Sequence, residues 1–245
     1  MVVIKSSEEV AIMRQCGRIL AGILDRLRSE VRAGIETGHL DAIMMEECEK
    51  RGVRPSFKEY RGFPANLCVS INDEVVHGIP GERRLEEGDI VSVDAGASLD
   101  GFHTDAAITV GVGRISKAAD KLVAVTEGAL KAGVARAACG AYVGDISSAI
   151  QRYVESRGFA VVREYTGHGV GRDLHEDPQI PNCAFGKGLL LRRGMTLAIE
   201  PMVNAGDWRT KLAANEWTVV TADGGLSAHF EHTIVVTDSD VEILV

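Results

Sequence analysis

The chain has 245 residues, of which 45% are hydrophobic and 25% are charged, and its formal net charge is −8. These values are typical of a globular protein, and an acidic chain without a run of five basic residues is a poor candidate for nucleic-acid binding. No apolar run approaches the ~18 residues of a membrane helix, so we expect no membrane partner.

The cysteines and the first residues indicate the cellular compartment of the protein. Five widely spaced cysteines with no CxxC pair disfavour both a thiolate zinc site and a disulfide framework. The first ten residues show no cationic region followed by an apolar core, so no secretory signal is predicted. The expected location is the cytosol. The length fits one large domain, or two halves that share a core.

Two helices are predicted first. Ser6 and Glu9 form a Ser-x-x-Glu capping box before a long amphipathic helix over residues 10–31. A second helix begins at Thr37 and stops at Gly52. Its apolar positions form one stripe for burial: Leu40, Ile43, Met44 and Cys48.

Short strands follow in the rest of the first half. We expect a strand over 55–60, a mixed segment over 62–80, and a strand over 89–94. Residues 95–101 are predicted to be a connection, and residues 103–110 the returning strand.

The second half repeats this order of helices followed by strands. Helices are predicted over 116–138 and 143–157, and strands over 159–165, 195–203 and 229–236, with a variable connection between the last two.

A glycine–histidine stretch, YTGHGVGRDLHEDP, occupies residues 165–178. Its three glycines favour a tight loop that lets the backbone approach another group closely. His168 and His175 are seven residues apart, so two histidines on one helix face are the alternative, although the glycines disfavour that helix. A purely structural turn is the other alternative.

Several short segments recur at an offset of about 105 residues. The pairs at this offset are EKRG (49–52) with ESRG (155–158) and KEYRG (58–62) with REYTG (163–167). A further match in the same order, at a longer offset, is HTDAAITV (103–110) with HFEHTIVV (229–236). They predict two related halves, about 1–115 and 116–245, within one domain. Chance similarity among amphipathic elements is the alternative.

Four carboxylates occupy matched positions in these apolar strands. Asp94 and Glu200 end two strands, whereas Asp105 and Glu231 lie early in two others. A carboxylate in an apolar strand is costly to bury unless it is paired or metal-bound, and these strands offer no matching arginines. Bound cations are the economical explanation.

The donor set indicates which cations. Four carboxylates with one imidazole, that of His168, suit two divalent ions of Mn, Fe, Co or Zn. Two such ions ~3.5–4 Å apart can bridge one water and polarise a carbonyl. A Mg²⁺ or Ca²⁺ site is the alternative, which the histidine disfavours.

Five motifs together resemble type I methionine aminopeptidases. They are VHGIP (76–80), DAG…DGFHTD (94–105), TGHGVGRDLHEDP (166–178), AIEPMV (198–203) and SAHFEHTIVVT (227–237). The resemblance implies an α+β pita-bread fold, in which a pseudo-twofold antiparallel sheet carries helices on its outer face and a dinuclear metal site at its centre. It covers residues 1–245 as a single catalytic domain.

The resemblance also implies roles for individual residues. The metal ligands would be Asp94, Asp105, His168, Glu200 and Glu231. Asp105 and Glu231 would bridge both ions, and Glu200 would also shuttle a proton for the bridging water. His77 and His175 would hydrogen-bond the scissile amide and stabilise the tetrahedral intermediate. Ordinary core histidines are the alternative for both.

A methionine pocket is implied in the same way. It would consist of Tyr60, Phe63, Cys68, Leu174 and Trp217. Such an apolar set suits a thioether, although by composition alone these residues are ordinary core. The chain departs from the family by having Leu174 in place of an aromatic residue and Val76 in place of a cysteine. Asn72 and Ser227 resemble positions near a monovalent-cation site.

The implied activity is removal of the initiator methionine from peptides and nascent chains whose second residue is small, by a metal-bridging water. We expect a monomer that contacts the ribosome transiently. One rival is an Xaa-Pro peptidase of the same fold, which shares the GHGxGxxxHExP motif and usually carries an additional N-terminal domain. The other rival is a non-catalytic pita-bread binding module, in which metal ligands are usually lost.

Overall fold

The computed structural model describes residues 2–238 and 240–245. Within these ranges the helices are α1 (Ser7–Glu30), α2 (Thr37–Arg51), α3 (Lys117–Val134) and α4 (Val143–Glu155). The strands are β1 (Arg54–Pro55), β2 (Leu67–Ile71), β3 (Glu74–Val76), β4 (Ile90–Leu99), β5 (Phe102–Gly111), β6 (Ala160–Val161), β7 (Thr166–Gly169), β8 (Glu176–Pro181), β9 (Thr196–Ile199), β10 (Met202–Asn204), β11 (Thr210–Leu212), β12 (Val219–Thr221), β13 (Ser227–His229), β14 (His232–Val236) and β15 (Val241–Ile243).

The two predicted N-terminal helices are confirmed. Ser6 Oγ accepts from the backbone N–H of Glu9 at 3.3 Å, and a carboxylate oxygen of Glu9 accepts from the Ser6 N–H at 3.0 Å, which completes the capping box. Helix α2 ends at Gly52 with φ 70°, and its predicted apolar stripe is buried. Both helices pack on β2, β4 and β5 in one hydrophobic cluster.

The central element of the first half is a long hairpin. Strands β4 and β5 pair without interruption from Ile90↔Gly111 to Leu99↔Phe102. Asp100 (φ 49°) and Gly101 (φ 79°) turn the chain within two residues, as Asp-Gly does in tight hairpins. The prediction of a connection over 95–101 was therefore wrong, because the strand continues through residues 95–99.

The predicted strand over 55–60 was also wrong beyond its start. Only Arg54–Pro55 pairs, with β4, and the chain then bends into a short 3₁₀ turn at Tyr60–Gly62. Glu59 (φ 65°) and Arg61 (φ 51°) both have left-handed backbone conformations, which a strand does not accommodate. This bend places Tyr60 and Phe63 on an irregular segment.

The second half contains a five-stranded sheet in the order β15-β14-β9-β7-β8. Helices α3 and α4 cover it through a second large hydrophobic cluster. The predicted strand over 195–203 is split at Glu200 and Pro201, and the one over 229–236 is split at Phe230 and Glu231. The segments on the far side of each break, β10 and β13, pair with each other in a separate sheet.

The glycine–histidine stretch begins as a strand, contrary to the prediction that it is a loop throughout. Thr166–Gly169 pairs with both β8 and β9, whereas the predicted strand before it is reduced to Ala160–Val161. A Cβ on Gly167 would lie 2.3 Å from the carbonyl oxygen of Ala198. Glycine here permits close contact between neighbouring strands and does not end the strand.

The two halves are joined by strand pairing between β3 and β12 and by a backbone bridge between Ala107 and Glu231. Glu231 N donates to Ala107 O at 2.9 Å, and Ala107 N donates to Glu231 O at 3.4 Å. Each half thus contributes two helices and strands that converge on this point. The proposed duplication stays a prediction. In the part of the chain that the structure covers, none of the helices combines the length and apolar character needed to span a bilayer.

Candidate active site

The four predicted carboxylates converge where the two halves meet. On the β4–β5 hairpin, Asp94 lies opposite Ala107 and Asp105 lies opposite Gly96. The bridge through Ala107 brings Glu231 beside the hairpin, and Glu200 follows the last residue of β9. The breaks in the predicted strands therefore occur at Glu200 and Glu231, the glutamates predicted to bind metal.

His168 joins this group from β7. Its Nε2 lies 3.5 Å from Asp105 Oδ2 and 3.4 Å from Glu200 Oε1. Its Nδ1 lies 2.9 Å from the carbonyl oxygen of Gly169, which only a protonated Nδ1 satisfies. The Nε2 lone pair is thus directed toward the carboxylates, as in many metal-ligating histidines.

Burial determines the protonation of these groups. Desolvation raises the pKa of Asp94, Glu200 and Glu231 well above the ordinary values, and the neighbouring carboxylates raise it further. Desolvation also raises the pKa of Asp105 to about 6 and lowers that of His168 to about 4. The imidazole is therefore neutral at pH 7, the form that binds metals.

The donor set fits divalent cations. Among the residues described, no lysine or arginine forms an ion pair with any of the four carboxylates. Asp94 Oδ1 is buried without a hydrogen-bond partner within residues 2–238 and 240–245. One atom each of Asp105, His168 and Glu231 lies within 4.8 Å of the others. Cations would compensate this concentration of like charge. We call the set the carboxylate floor: Asp94, Asp105, His168, Glu200 and Glu231.

Three residues that the sequence reasoning missed lie against the floor. The Thr233 hydroxyl lies 3.1 Å from Asp105 Oδ1 and accepts from the Asp105 backbone N–H at 3.0 Å. Asn182 Nδ2 donates to the carbonyl oxygen of Glu200 at 3.1 Å. Buried His229 places Nε2 3.9 Å from Glu200 Oε2. The period-two spacing of His229, Glu231 and Thr233 was a signal that they share one face of the chain.

The two predicted substrate histidines border the same cavity of about 160 Å³. His77 has a left-handed backbone (φ 60°), and its ring lies edge-on to Tyr165 at 6.0 Å between centroids. His175 Nδ1 lies 2.8 Å from the Tyr60 hydroxyl, and its ring centroid is 4.2 Å from that of His168. The structure thus places both histidines next to the carboxylate floor.

The remainder of the cavity lining is mainly apolar. Phe63, Cys68 and Leu174 are buried, whereas Tyr60 and Trp217 are half-buried. The rings of Phe63 and Trp217 meet edge to face at 5.2 Å. Val76 also borders the cavity, as do Phe57 and Arg61, which the sequence reasoning missed. We call the five residues predicted for the methionine pocket the apolar wall: Tyr60, Phe63, Cys68, Leu174 and Trp217.

Asn72 and Ser227 lie side by side outside this lining. The Ser227 backbone N–H donates to the carbonyl oxygen of Asn72 at 2.8 Å. The Asn72 side chain donates to Asp89 at 2.7 Å, and the Ser227 hydroxyl lies 2.9 Å from Asn204 Oδ1. The monovalent-cation site near these residues stays a prediction.

Known proteins resemble this chain in both sequence and fold. Residues 11–238 match the metallopeptidase family M24. Methionine aminopeptidase 1 from Bacillus subtilis is 52% identical over 245 residues, which cover 100% of this chain and 99% of that protein. The crystal structure of methionine aminopeptidase from Thermotoga maritima has a TM-score of 0.98 at 46% identity, over 100% of this chain and 99% of that one.

A buried carboxylate–imidazole cluster in a fold of this kind defines a metal-dependent hydrolase. The chain belongs to metallopeptidase family M24. The predicted resemblance, the pita-bread fold and the metallopeptidase class are confirmed. A prolidase from Pyrococcus furiosus shares the fold alone, with a TM-score of 0.82 at 21% identity over 99% of this chain and 65% of that one.

Proposed function

We propose that this chain is a metal-dependent aminopeptidase that removes the N-terminal methionine from peptides and nascent proteins whose second residue is small. The observation that carries the proposal is that the carboxylate floor and the apolar wall border one cavity. A substrate whose side chain packs on the wall therefore has its backbone beside the floor. The near full-length identity to methionine aminopeptidases supports methionine as that side chain.

Two divalent ions would be held by the floor. Asp105 and Glu231 would be shared by both ions, Asp94 would bind one, and His168 and Glu200 would bind the other. Bound ions of this kind supply an activated water and Lewis-acid polarisation of the scissile carbonyl. Cobalt, manganese, iron and zinc all suit the donor set.

Glu200 would transfer the proton from the attacking water to the leaving amine. Its carboxylate is 12% exposed and borders the cavity, so it can contact groups that react there. Asn182 fixes the backbone of Glu200 through its carbonyl oxygen. These features support the proton-shuttle role that the resemblance implied.

His77 and His175 would donate hydrogen bonds to the scissile amide. The Tyr60 hydroxyl lies 2.8 Å from Nδ1 of His175 and would donate to it, so that the neutral ring would carry its proton on Nε2. Burial lowers the pKa of His77, so this ring too is neutral at pH 7. Neutral hydrogen-bond donors that are already held in position stabilise the developing oxyanion, because no free energy is needed to reorient them during the reaction.

The free α-amino group of the substrate would lie near the floor. A formyl group on that nitrogen would remove its basic lone pair and add bulk, so formylated chains should need deformylation first. Contact with the ribosome, a monomeric state and a cytosolic location stay predictions, as does a single catalytic domain over residues 1–245.

Hydrolysis of Met-Ala-Ser and of an Ala-Pro peptide by the metal-free protein, with Mn²⁺, Co²⁺ or Fe²⁺ added, tests the proposal. We expect methionine release from the first peptide only, and only with metal. Alanine release from the second would instead identify an Xaa-Pro peptidase. No hydrolysis with any metal would leave the binding-module alternative.

A further inference from the structure

A buried lysine contacts the loop that carries His175. Lys5 lies just before α1 and is 6% exposed. Its Nζ is 2.5 Å from Glu176 Oε2, and its backbone N–H donates to the carbonyl oxygen of Gly194 at 2.9 Å. The two side chains of the ion pair are 2% and 8% exposed.

Stability alone is a weak explanation for this pair. Lysine and glutamate are rarely buried, and the desolvation of two charges commonly offsets their attraction. A hydrophobic pair of similar volume would pack as well. The pair instead fixes the position of Glu176 relative to Lys5, because charge-assisted hydrogen bonds are strong and directional.

The backbone of the loop is shaped around the pair. A Cβ on Gly171 would lie 2.4 Å from Lys5 Cε and 2.5 Å from Glu176 Oε1. A glycine at this position therefore provides the space that the pair occupies. The same glycine donates its N–H to Asp173 O at 3.0 Å and accepts from His103 N at 2.7 Å.

Glu176 closes the loop with its second oxygen. Oε1 accepts from the backbone N–H of Asp173 at 3.3 Å, while Oε2 is held by Lys5. His175 immediately precedes Glu176, and its ring is held at the other end by the Tyr60 hydroxyl. The histidine is thus fixed between the ion pair on the protein side and Tyr60 on the cavity side.

We propose that Lys5 is a positioning residue for the aminopeptidase reaction, acting through Glu176 to hold residues 171–176 and so to aim the His175 ring at the substrate. This inference rests on the proposed function. Lys5 does not border the cavity, so it acts on the reaction only through this loop.

The same loop offers a matched control. Arg172 donates to Glu9 at 3.1 Å, which also joins the N-terminal segment to the loop, but its side chain is 65% exposed. Exposed pairs contribute little because water screens them. Arg172→Met should therefore leave catalysis within about threefold of wild type.

The test is a double-mutant cycle between Lys5→Met and His175→Ala, with kcat, KM and bound Mn²⁺ measured for each variant on Met-Ala-Ser. Lys5→Met should lower kcat about 30-fold with KM and bound metal little changed, because a misplacement of about 1 Å is costly to catalysis. In the His175→Ala background the same change should lower kcat by less than about threefold. Glu176→Gln, which keeps the shape of the side chain, should behave like Lys5→Met and stands in for it if that variant does not fold.

Equal losses in both backgrounds would overturn the inference, since Lys5 would then act independently of His175. Unchanged kcat in Lys5→Met, or a loss of bound metal that accounts for the lower activity, would overturn it as well. The wild-type assay separates the two claims. No methionine release by the metal-loaded wild type refutes the proposed function, whereas an active wild type with uncoupled variants refutes only the role of Lys5.

Discussion

The carboxylate floor and the apolar wall line the same cavity, but they are built differently. Asp94, Asp105 and His168 lie within paired strands, and Glu231 is joined to β5 by a backbone bridge. The wall comes mainly from irregular segments. Tyr60 lies in a 3₁₀ turn, and Trp217 directly follows Glu216, which has a left-handed backbone (φ 62°).

This difference separates two requirements of a peptidase. Shared cations need ligand atoms held within a few tenths of an ångström, which hydrogen-bonded strands provide. Selectivity for a side chain depends on the shape of a pocket, which loops can alter without disturbing the strands. Changes in the floor should therefore abolish the chemistry, and changes in the wall should alter substrate preference while metal binding persists.

The largest effect is expected for Asp105→Asn. The amide keeps the size of the side chain but removes the charge at the ligand that both ions would share, so activity should fall on the order of 10³-fold. Metal-dependent hydrolysis of Met-Ala-Ser measures this, with the exposed Asp120→Asn as the control. Activity that survived within about tenfold would rule out a bridging role.

His77→Ala should have the next largest effect. Loss of one positioned hydrogen-bond donor should lower kcat on the order of 10²-fold, with bound metal unchanged. Steady-state kinetics together with metal analysis measure both quantities, and the exposed His39→Ala serves as control. If KM rose and kcat did not change, His77 would bind substrate without stabilising the transition state.

Phe63→Ala tests the wall. Removing this buried ring should lower kcat/KM for methionine peptides about 10- to 100-fold, because the pocket loses apolar contact with the side chain. The metal content should be unchanged. The control Phe185→Ala, at an exposed position, should change neither kcat/KM nor metal content. Loss of metal from Phe63→Ala would contradict the separation of wall and floor.

The smallest effect concerns stability and pH. The pKa of Asp105 is about 6 in the folded chain and about 4 in the unfolded chain. Such a carboxyl group contributes its full stabilisation of the fold below the unfolded value, and this contribution is lost as the pH rises through the folded value. The Tm of the metal-free protein should therefore fall as the pH rises from 5 to 8. Metal needs the deprotonated ligands, so saturating Mn²⁺ should raise Tm by about 5–10 °C at pH 8 and less at pH 5.5.

Thermal unfolding with and without Mn²⁺ at the two pH values measures this effect. Asp105→Asn is the matched variant, since it should lose most of the metal-dependent rise. A larger rise at pH 5.5 than at pH 8 would contradict the assignment of buried carboxylates as the metal ligands.

The sequence predicted the helices and the floor better than the wall. Periodicity and the Ser6–Glu9 box located α1, and carboxylates in apolar strands identified the floor because unpaired burial is costly. The bend around Tyr60 could not be predicted from the sequence, because two non-glycine residues adopt left-handed backbone conformations there. The residues of the wall were assigned by resemblance alone.

Two further features depended on tertiary contacts. The glycines of β7 suggested a loop, because the close approach of Gly167 to the carbonyl oxygen of Ala198 is between strands that are distant in sequence. The partnership of Lys5 with Glu176 joins residues 171 positions apart, and a single lysine before a helix carries no signal of burial. Local patterns therefore could not reveal either.

The central claim is that the floor exists to hold the cations on which methionine removal depends. A titration of the metal-free protein with Mn²⁺, with bound metal and Met-Ala-Ser hydrolysis measured in the same samples, tests it most directly. We expect no hydrolysis without metal, and activity that rises with bound metal and saturates by two ions per chain. Full activity in the metal-free protein, or binding of Mn²⁺ that is unaffected by Asp105→Asn, would contradict it.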